Sequence, residues 1–402
     1  MEKEYYGFLE NVGGEGPYFL RFDLFSSADL EYLREFKSSL LNSEALDQIE
    51  SSFAELTLEL KDIDKLEALS SRKLYEGQWY KLILGEIGDY EVLRYSTSDT
   101  SEGRVSYLHD IEFVDGRTVF GKELNSLFSL DSVEDSDFET IVTLLDTVEK
   151  PRYVGVYNVG QGNCTALCDK DGIPLLYIDF GGGEGANKST YPSNIKFCFL
   201  KKPTVLLSHW DRDHWVSKNF EPKSLNSKWI VPRQKLGLSH LKLAKDLYIR
   251  GNLVVYPDNI QSIISDIGIL IKNTGTDRNS SGLTFISSIK SRNGPYITLF
   301  PGDSKYKSIP GVYHFKYDGL IATHHGGHYK NNLSPKSNIF SQIAYSYGTN
   351  NTHRHPSKIT IGQNKHWRDS FSTFRGHISL NNWCGFPLQN CSCGCNLIFA
   401  QW

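Results

Sequence analysis

The sequence predicts an α/β protein in which two regions of different character are followed by a short tail. Residues 1–150 mix alternating apolar runs with acidic stretches of helical apolar spacing, which indicates a smaller α+β domain. From Arg152 onward, short apolar runs alternate with Gly, Asp and His, and several end in a polar residue, as strands buried on both faces do. Because the composition changes near Lys150 and Pro151, we predict domains over 1–150 and 151–382 and a tail over 383–402.

Composition and charge limit the classes of function. The 402 residues are 39% apolar and 22% charged, as in a soluble globular protein. The net charge of −4 provides no basic footprint for nucleic acid, although bound metal ions would add positive charge that residue counts omit. The N-terminus has no secretory signal pattern, and no apolar run has the length of a membrane span. We therefore expect a cytoplasmic protein without a membrane partner.

The first 150 residues contain no clustered His, Cys or Asp. Two alternating runs, YYGFLENV and YFLRFDLF, predict strands, and residues 28–69 predict acidic helices with Leu30, Leu33 and Phe36 on one face. A strand-like segment, QWYKLILGEIGDYEVLRYS, and a second acidic helix over 137–148 follow. We interpret this region as an accessory domain for packing or for binding a protein partner.

Chemistry is concentrated in the segment LLSHWDRDHW. His209, Asp211, Asp213 and His214 stand within six residues after an apolar strand. Carboxylates this close repel each other, and a shared divalent cation, or a pair of cations, would relieve the repulsion. The alternative is a solvated charged turn with incidental histidines, which is a better explanation for two such residues than for four.

Three further segments carry weaker signals. Asp303 follows the apolar strand and turn ITLFPG, and His324 and His325 end the run DGLIATHH before two glycines. A glycine-rich turn, NVGQGNC, joins the first two predicted strands of the region after Arg152. Each of these segments alone is ambiguous, because Gly-Asp turns and glycine-rich hairpins are common.

In this order, the segments resemble the metallo-β-lactamase superfamily, and most closely the hydrolase domain of ComEC-type DNA-uptake proteins and their soluble relatives. The resemblance covers about Arg152 to Leu380, and it implies an αββα sandwich. Asp211 stands where the wider superfamily has a second histidine, which favours the ComEC-like branch. The matching segments are Val159–Asn163, Ile178–Gly181, His209–His214, Gly302–Asp303, His324–Gly327 and Asn350–Pro356. Where that family has a glycine-bearing helix start, this chain has Trp215–Lys218, which changes the approach to the metals.

The resemblance implies a site with two divalent ions, Zn²⁺ or Mn²⁺. His209 and Asp211 would hold one ion, and Asp213, His214 and His324 the other, with Asp303 bridging. His325 could replace His324, which is preferred because it lies nearer the strand end. The sequence places Asp179 behind a ligand histidine, His325 or His355 as a proton donor or phosphate contact, and Asp213 among the catalytic residues. The superfamily's additional histidine has one candidate here, His240, for which a surface position on a helix is the favoured interpretation.

Two such ions suit water-driven cleavage of a phosphodiester, so the sequence predicts a phosphodiesterase acting on nucleic acid or a nucleotide. The alternatives are hydrolysis of a lactone or thioester, and a partner-gated component of a bacterial defence or toxin system. In the tail, Cys384, Cys391, Cys393 and Cys395 could hold a structural Zn²⁺, although alternate spacing also fits free thiols.

Overall fold

The computed structural model describes residues 2–13, 18–49, 52–58, 64–67, 70, 72–96, 104–146, 149–291, 294–381 and 395. The chain divides into two compact units. The first comprises Met1–Val133 and Gln234–Gly251, and the second comprises Glu134–Arg233 and Asn252–Trp402. The described α-helices are α1 (Ser27–Glu35), α2 (Ala45–Gln48), α3 (Val119–Leu127), α4 (Phe138–Asp146), α5 (Leu238–Ile249) and α6 (Lys358–Gln363).

The first unit contains a closed antiparallel barrel with the strand order β1-β2-β3-β5-β6-β4. Apolar side chains at alternate strand positions fill its interior, including Leu20, Phe22 and Leu82. The strands are β1 (Lys3–Gly13), β2 (Tyr18–Ser26), β3 (Ser52–Leu58), β4 (Trp79–Gly85), β5 (Tyr90–Ser96) and β6 (Arg104–Val114). The strands predicted from alternation are therefore confirmed.

The predicted acidic helices over 28–69 are only partly correct. Helix α1 begins at a capping box in which Ser26 and Asp29 bond each other's backbone N–H groups. The prediction is wrong at β3, which pairs with β2 and β5. Ala54 and Leu56 of β3 are buried two residues apart, so the strand period determines burial in this segment rather than the helical spacing of the preceding residues.

The division between the units differs from the predicted boundary at residue 150. Helix α4 belongs to the second unit because its Ile141 and Leu145 join the main apolar core of that unit. Residues 234–251, which lie within the predicted hydrolase region, belong instead to the first unit.

The predicted surface position of His240 is wrong, because its side chain is fully buried in the first unit. Its Nε2 lies 2.7 Å from Glu10 Oε1, and its Nδ1 accepts a hydrogen bond from the Gly237 N–H at 2.8 Å. Asp23 accepts bonds from the Ser239 N–H and hydroxyl, each at 2.8 Å. The sequence could not reveal this cluster, because its histidine lies more than two hundred residues from its carboxylates.

The second unit contains two seven-stranded mixed sheets, with the orders β12-β11-β10-β9-β8-β7-β20 and β13-β14-β15-β16-β17-β18-β19. Side chains from both sheets form one apolar core, so the sheets pack face to face. Phe285 of β15 enters that core, whereas the next residue, Ile286, packs on the opposite face of the sheet. The strands of the first sheet are β7 (Tyr153–Val156), β8 (Cys164–Cys168), β9 (Pro174–Phe180), β10 (Thr204–Leu206), β11 (Trp229–Val231), β12 (Leu253–Val255) and β20 (Ile378–Leu380). Those of the second are β13 (Ser262–Ser265), β14 (Gly268–Lys272), β15 (Leu283–Ser291), β16 (Gly294–Phe300), β17 (Tyr317–Ile321), β18 (Ser337–Tyr345) and β19 (Asp369–Ser372).

Parallel pairing brings the chemical motifs to the strand ends. In the first sheet β9, β10 and β11 run parallel, and in the second β16, β17 and β18 do. The carboxyl ends of parallel strands meet at one edge, which is where ligands bind in open α/β sheets. None of the described helices combines the length and apolar character needed to cross a bilayer.

Candidate metal centre

The loop that carries His209, Asp211, Asp213 and His214 follows β10 and includes a short 3₁₀ helix, Arg212–His214. The carbonyl of Asp213 accepts hydrogen bonds from the N–H groups of Asn163 (2.9 Å) and Gly182 (3.1 Å). Two glycine-rich turns, one before β8 and one after β9, therefore fix the backbone of the loop. A Cβ at Gly181 would overlap the Asp213 carbonyl, which explains why a glycine stands two residues after Asp179.

In three histidines, Nδ1 forms a hydrogen bond with a residue behind the ring, on the side away from the other donor atoms of the centre. His214 Nδ1 lies 2.7 Å from Asp179 Oδ2, His209 Nδ1 lies 3.0 Å from Ser208 Oγ, and His325 Nδ1 lies 3.0 Å from the Ser346 carbonyl. Because a carbonyl only accepts, His325 Nδ1 carries a proton, so Nε2 is the ring atom that a metal ion could bind. The contacts with Asp179 and Ser208 favour the same arrangement in His214 and His209. No described residue forms a hydrogen bond with any of the three buried Nε2 atoms.

Asp179 lies behind these histidines and is fully buried. Besides the contact with His214, its carboxylate accepts bonds from the Asn163 amide (2.8 Å), the Ser208 N–H (2.7 Å) and the Ser208 hydroxyl (2.9 Å). Carboxylate partners of this kind fix the ring orientation of metal-binding histidines. Asp179 itself has a φ of +59°, so the motif holds it in the left-handed region.

Asp303 lies among the imidazoles. Its carboxylate oxygens are 3.1 Å from His214 Nε2, 4.0 Å from His209 Nε2 and 3.8 Å from the Nε2 atoms of both His324 and His325. Burial would raise the pKa of Asp303, but His214, His325 and His324 outweigh that effect and hold the pKa well below its ordinary value. Asp303 is therefore anionic, and the site favours positive charge.

The adjacent histidines after β17 are not equivalent. Both have left-handed backbone, with φ of +51° at His324 and +54° at His325, a strained conformation of a kind that clusters at functional sites. His325 Nε2 lies 3.0 Å from Asp213 Oδ2. His324 is more exposed, and its ring stacks on Tyr329 at a centroid distance of 5.0 Å. The preference for His324 as a ligand gains no support from this geometry, which favours His325.

Asp211 has a partner that the sequence did not predict. Its Oδ1 accepts a hydrogen bond from Arg278 Nη1 at 2.8 Å, and both side chains are buried. Its Oδ2 lies 3.2 Å from His209 Nε2. Arg278 lies in a loop between β14 and β15, where a single arginine among polar residues gives no recognisable signal.

His355 lies at the edge of the centre and is half-buried. Its ring is 4.9 Å from that of His324, and its Nδ1 lies 3.4 Å from Gln161 Nε2. Asn351 Oδ1 accepts the His355 N–H at 2.9 Å, so Asn351 rather than Asn350 organises this segment. Burial and the neighbouring histidines lower the pKa of His355 well below its ordinary value.

The donor atoms fit a divalent ion. Two overlapping groups of side chains have donors within 4.8 Å of one another: His209 with His214 and Asp303, and Asp213 with His214 and His325. Buried Nε2 lone pairs without hydrogen bonds would cost free energy unless a cation satisfied them.

Of the tail cysteines, Cys384, Cys391 and Cys393 lie outside the described residues, so the predicted zinc site there stays a prediction.

No protein-family model matches the chain, and neither does any curated protein. Among solved structures, a subclass B3 metallo-β-lactamase from a soil metagenome library is similar, with 12% identity, a TM-score of 0.27, and coverage of 44% of this chain and 80% of that one. An archaeal metallo-β-lactamase superfamily protein from Sulfolobus tokodaii has 17% identity and a TM-score of 0.25, with coverage of 45% of this chain and 67% of that one. A long-form RNase Z from yeast has 10% identity and a TM-score of 0.25, with coverage of 69% of this chain and 46% of that one. These likenesses concern the fold alone and carry no argument about substrate.

The second unit has the metallo-β-lactamase fold, since two facing mixed sheets carry the expected motifs in the expected order at their strand ends. The sheet topology confirms the predicted fold class. The resemblance to the metallo-β-lactamase superfamily is a likeness of fold alone. The closer relation to ComEC-type proteins stays a prediction.

Proposed function

We propose that this protein is a divalent-metal-dependent phosphodiesterase. The observation that carries the proposal is the convergence of three buried imidazole Nε2 atoms with the carboxylates of Asp213 and Asp303, without hydrogen bonds to those nitrogens. Such an ion, when bound, supplies Lewis-acid activation of water and of the phosphoryl group. Whether Zn²⁺ or Mn²⁺ is used is open, because a mixed nitrogen and oxygen set accepts both.

The residues of the chain have separate roles in this proposal. Asp213, His214 and His325 hold the metal, and His209 and Asp303 form the alternative set around the shared His214. The buried Asp179 orients His214 from behind. This assigns His325 to the metal rather than to proton transfer.

His355 is left as the residue that contacts substrate. Its lowered pKa keeps the ring neutral at pH 7, so it donates a hydrogen bond to a phosphate oxygen rather than delivering a proton from an imidazolium.

The rim beside Asp303 supports a nucleotide or nucleic-acid substrate. The Tyr329 hydroxyl donates to the Asp303 carbonyl at 2.9 Å, and the Tyr329 ring stacks on His324. The Lys305 ammonium lies 5.3 Å from the centroid of the same ring and also donates to Asp277 Oδ2 at 2.9 Å. A half-buried aromatic ring with an adjacent cation is a combination that contacts bases and phosphates.

The test is a substrate panel: bis(p-nitrophenyl) phosphate, single-stranded and duplex DNA, RNA, a thioester and a lactone, with Zn²⁺ and Mn²⁺ supplied separately. We expect cleavage of phosphodiesters that Asp213→Ala abolishes and EDTA suppresses. Metal-dependent cleavage confined to the lactone or thioester would replace the phosphodiesterase with the alternative hydrolase. Metal binding without any cleavage would favour a partner-gated protein, in which the first unit binds the partner.

A further inference from the structure

The two donor groups of the metal centre share His214. An imidazole nitrogen has one lone pair and binds one ion, and His214 Nδ1 is already committed to Asp179 at 2.7 Å. Its Nε2 can therefore complete the group with His209 and Asp303 or the group with Asp213 and His325, but not both. Among the described residues, the centre thus offers one complete set of three donors at a time.

A second ion would need Asp211 as a ligand, but the carboxylate of Asp211 already forms an ion pair with Arg278. Arg278 Nη1 donates to Asp211 Oδ1 at 2.8 Å, with 4% of the arginine side chain and 9% of the aspartate side chain exposed. In the part of the chain that the structure describes, Asp211 belongs to neither group of metal donors at the centre. A guanidinium is protonated at every physiological pH, so it is a permanent cation beside this carboxylate.

From these contacts we propose that the centre binds one divalent ion, and that the Arg278 guanidinium takes the place of the second cation by neutralising Asp211. The inference rests on the proposed function only in requiring that the site bind metal. It replaces the two-ion site that the sequence predicted. It also assigns a role to Arg278, which neutralises Asp211 through its contact with Oδ1 and supplies positive charge that does not depend on metal concentration.

The experiment is native mass spectrometry of the metal-stripped full chain titrated with Mn²⁺, together with electron paramagnetic resonance of the loaded protein. We expect the wild type to take up one ion and to give the spectrum of an isolated Mn²⁺. Arg278→Gln releases Asp211 and should bind a second ion with a spin-coupled spectrum, whereas Arg278→Lys, which keeps the charge, should bind one.

Asp211→Asn provides a test that does not depend on the folding of Arg278→Gln. Because Asp211 is not a ligand in this account, the variant should still bind one ion, with an affinity within about tenfold of the wild type, less than typical losses at outer-sphere partners. Two ions in the wild type, loss of the ion in Asp211→Asn, or a single ion with unchanged affinity in folded Arg278→Gln would overturn the inference. Absence of any bound metal in the wild type would instead refute the proposed function.

Discussion

At the scale of single residues, the tautomer of each histidine is the decisive feature of the centre. His325 donates from Nδ1 to the Ser346 carbonyl, which leaves Nε2, 3.0 Å from Asp213 Oδ2, as the ring atom available to a metal ion. His324 has a ring stacked on Tyr329 and no such anchor at Nδ1 among the described residues. Position in the sequence could not separate these adjacent histidines, because their difference arises from the strained backbone after β17.

We therefore predict different effects for the two alanine variants. His325→Ala should weaken metal binding by more than about 100-fold, beyond the range of outer-sphere losses, whereas His324→Ala should weaken it by less than about 10-fold. Competition with a fluorescent chelator measures both affinities. The reverse order would restore His324 as the ligand.

Asp179 provides a second prediction at this scale. Replacing it with Asn places an amide N–H against at least one of the donors that the carboxylate now satisfies, so His214 loses its fixed orientation. We expect Asp179→Asn to lower metal affinity by about 10- to 100-fold. Asp171→Asn, at a half-exposed aspartate in the turn between β8 and β9, is the control and should bind metal as the wild type does. Equal affinities in all three proteins would show that Asp179 does not orient the ligand.

At the scale of elements, the strand ends were predictable and the partners across the sheet were not. Apolar runs that end in Asp or His identified β9, β10, β16 and β17 correctly, because burial on both faces leaves a pattern in the sequence. Strand β3 was missed since acidic residues and helical apolar spacing precede it. The contact between Arg278 and Asp211 was missed because it joins two loops 67 residues apart.

The turn after β9 yields a prediction about packing. A methyl group at Gly181 would collide with the Asp213 carbonyl, and backbone on both sides leaves little room to relax. We expect Gly181→Ala to destabilise the protein by about 2 kcal/mol or more, as severe overpacking does, and to weaken metal binding. Gly362→Ala in α6 is the control, since a Cβ there meets open space; it should be neutral or stabilising by up to about 1 kcal/mol. Urea unfolding and chelator competition measure the two effects, and equal stabilities for the two variants would contradict the packing argument.

At the scale of the whole molecule, the chain contributes to the first unit twice, through residues 1–133 and again through 234–251. The second passage delivers His240 to the carboxylates of Glu10 and Asp23. Composition and charge did not indicate that residues 234–251 belong to the first unit, nor that its strands form a barrel, because both features depend on contacts between distant segments. The functions of the first unit, including the predicted binding of a protein partner, stay predictions.

The buried carboxyl group of Asp23 makes the stability of the first unit depend on pH. Burial and the nearby Glu10 raise its pKa to about 6 in the folded protein, against 3.8 ordinarily. A raised pKa stabilises the folded state below pH 4, and that stabilisation is lost as the pH rises through 6. Relative to the wild type, Asp23→Asn should therefore gain about 3 kcal/mol of unfolding free energy between pH 4 and pH 7.

Urea unfolding at several pH values measures this difference, and the contributions of other titrating groups cancel between the two proteins. Asp131→Asn, at an exposed position of the same unit, serves as the control and should change stability little at any pH. A difference between Asp23→Asn and wild type that stays constant with pH would show that folding does not raise the pKa of Asp23.

The most direct test of the metal centre is anomalous X-ray diffraction from crystals loaded with Zn²⁺, recorded on both sides of the zinc absorption edge. We predict an anomalous peak about 2 Å from His214 Nε2, the usual Zn–N distance, bounded by carboxylate oxygens of Asp213 or Asp303. A metal-loaded crystal with no peak within bonding distance of His214, or with a peak only elsewhere on the protein, would contradict the account.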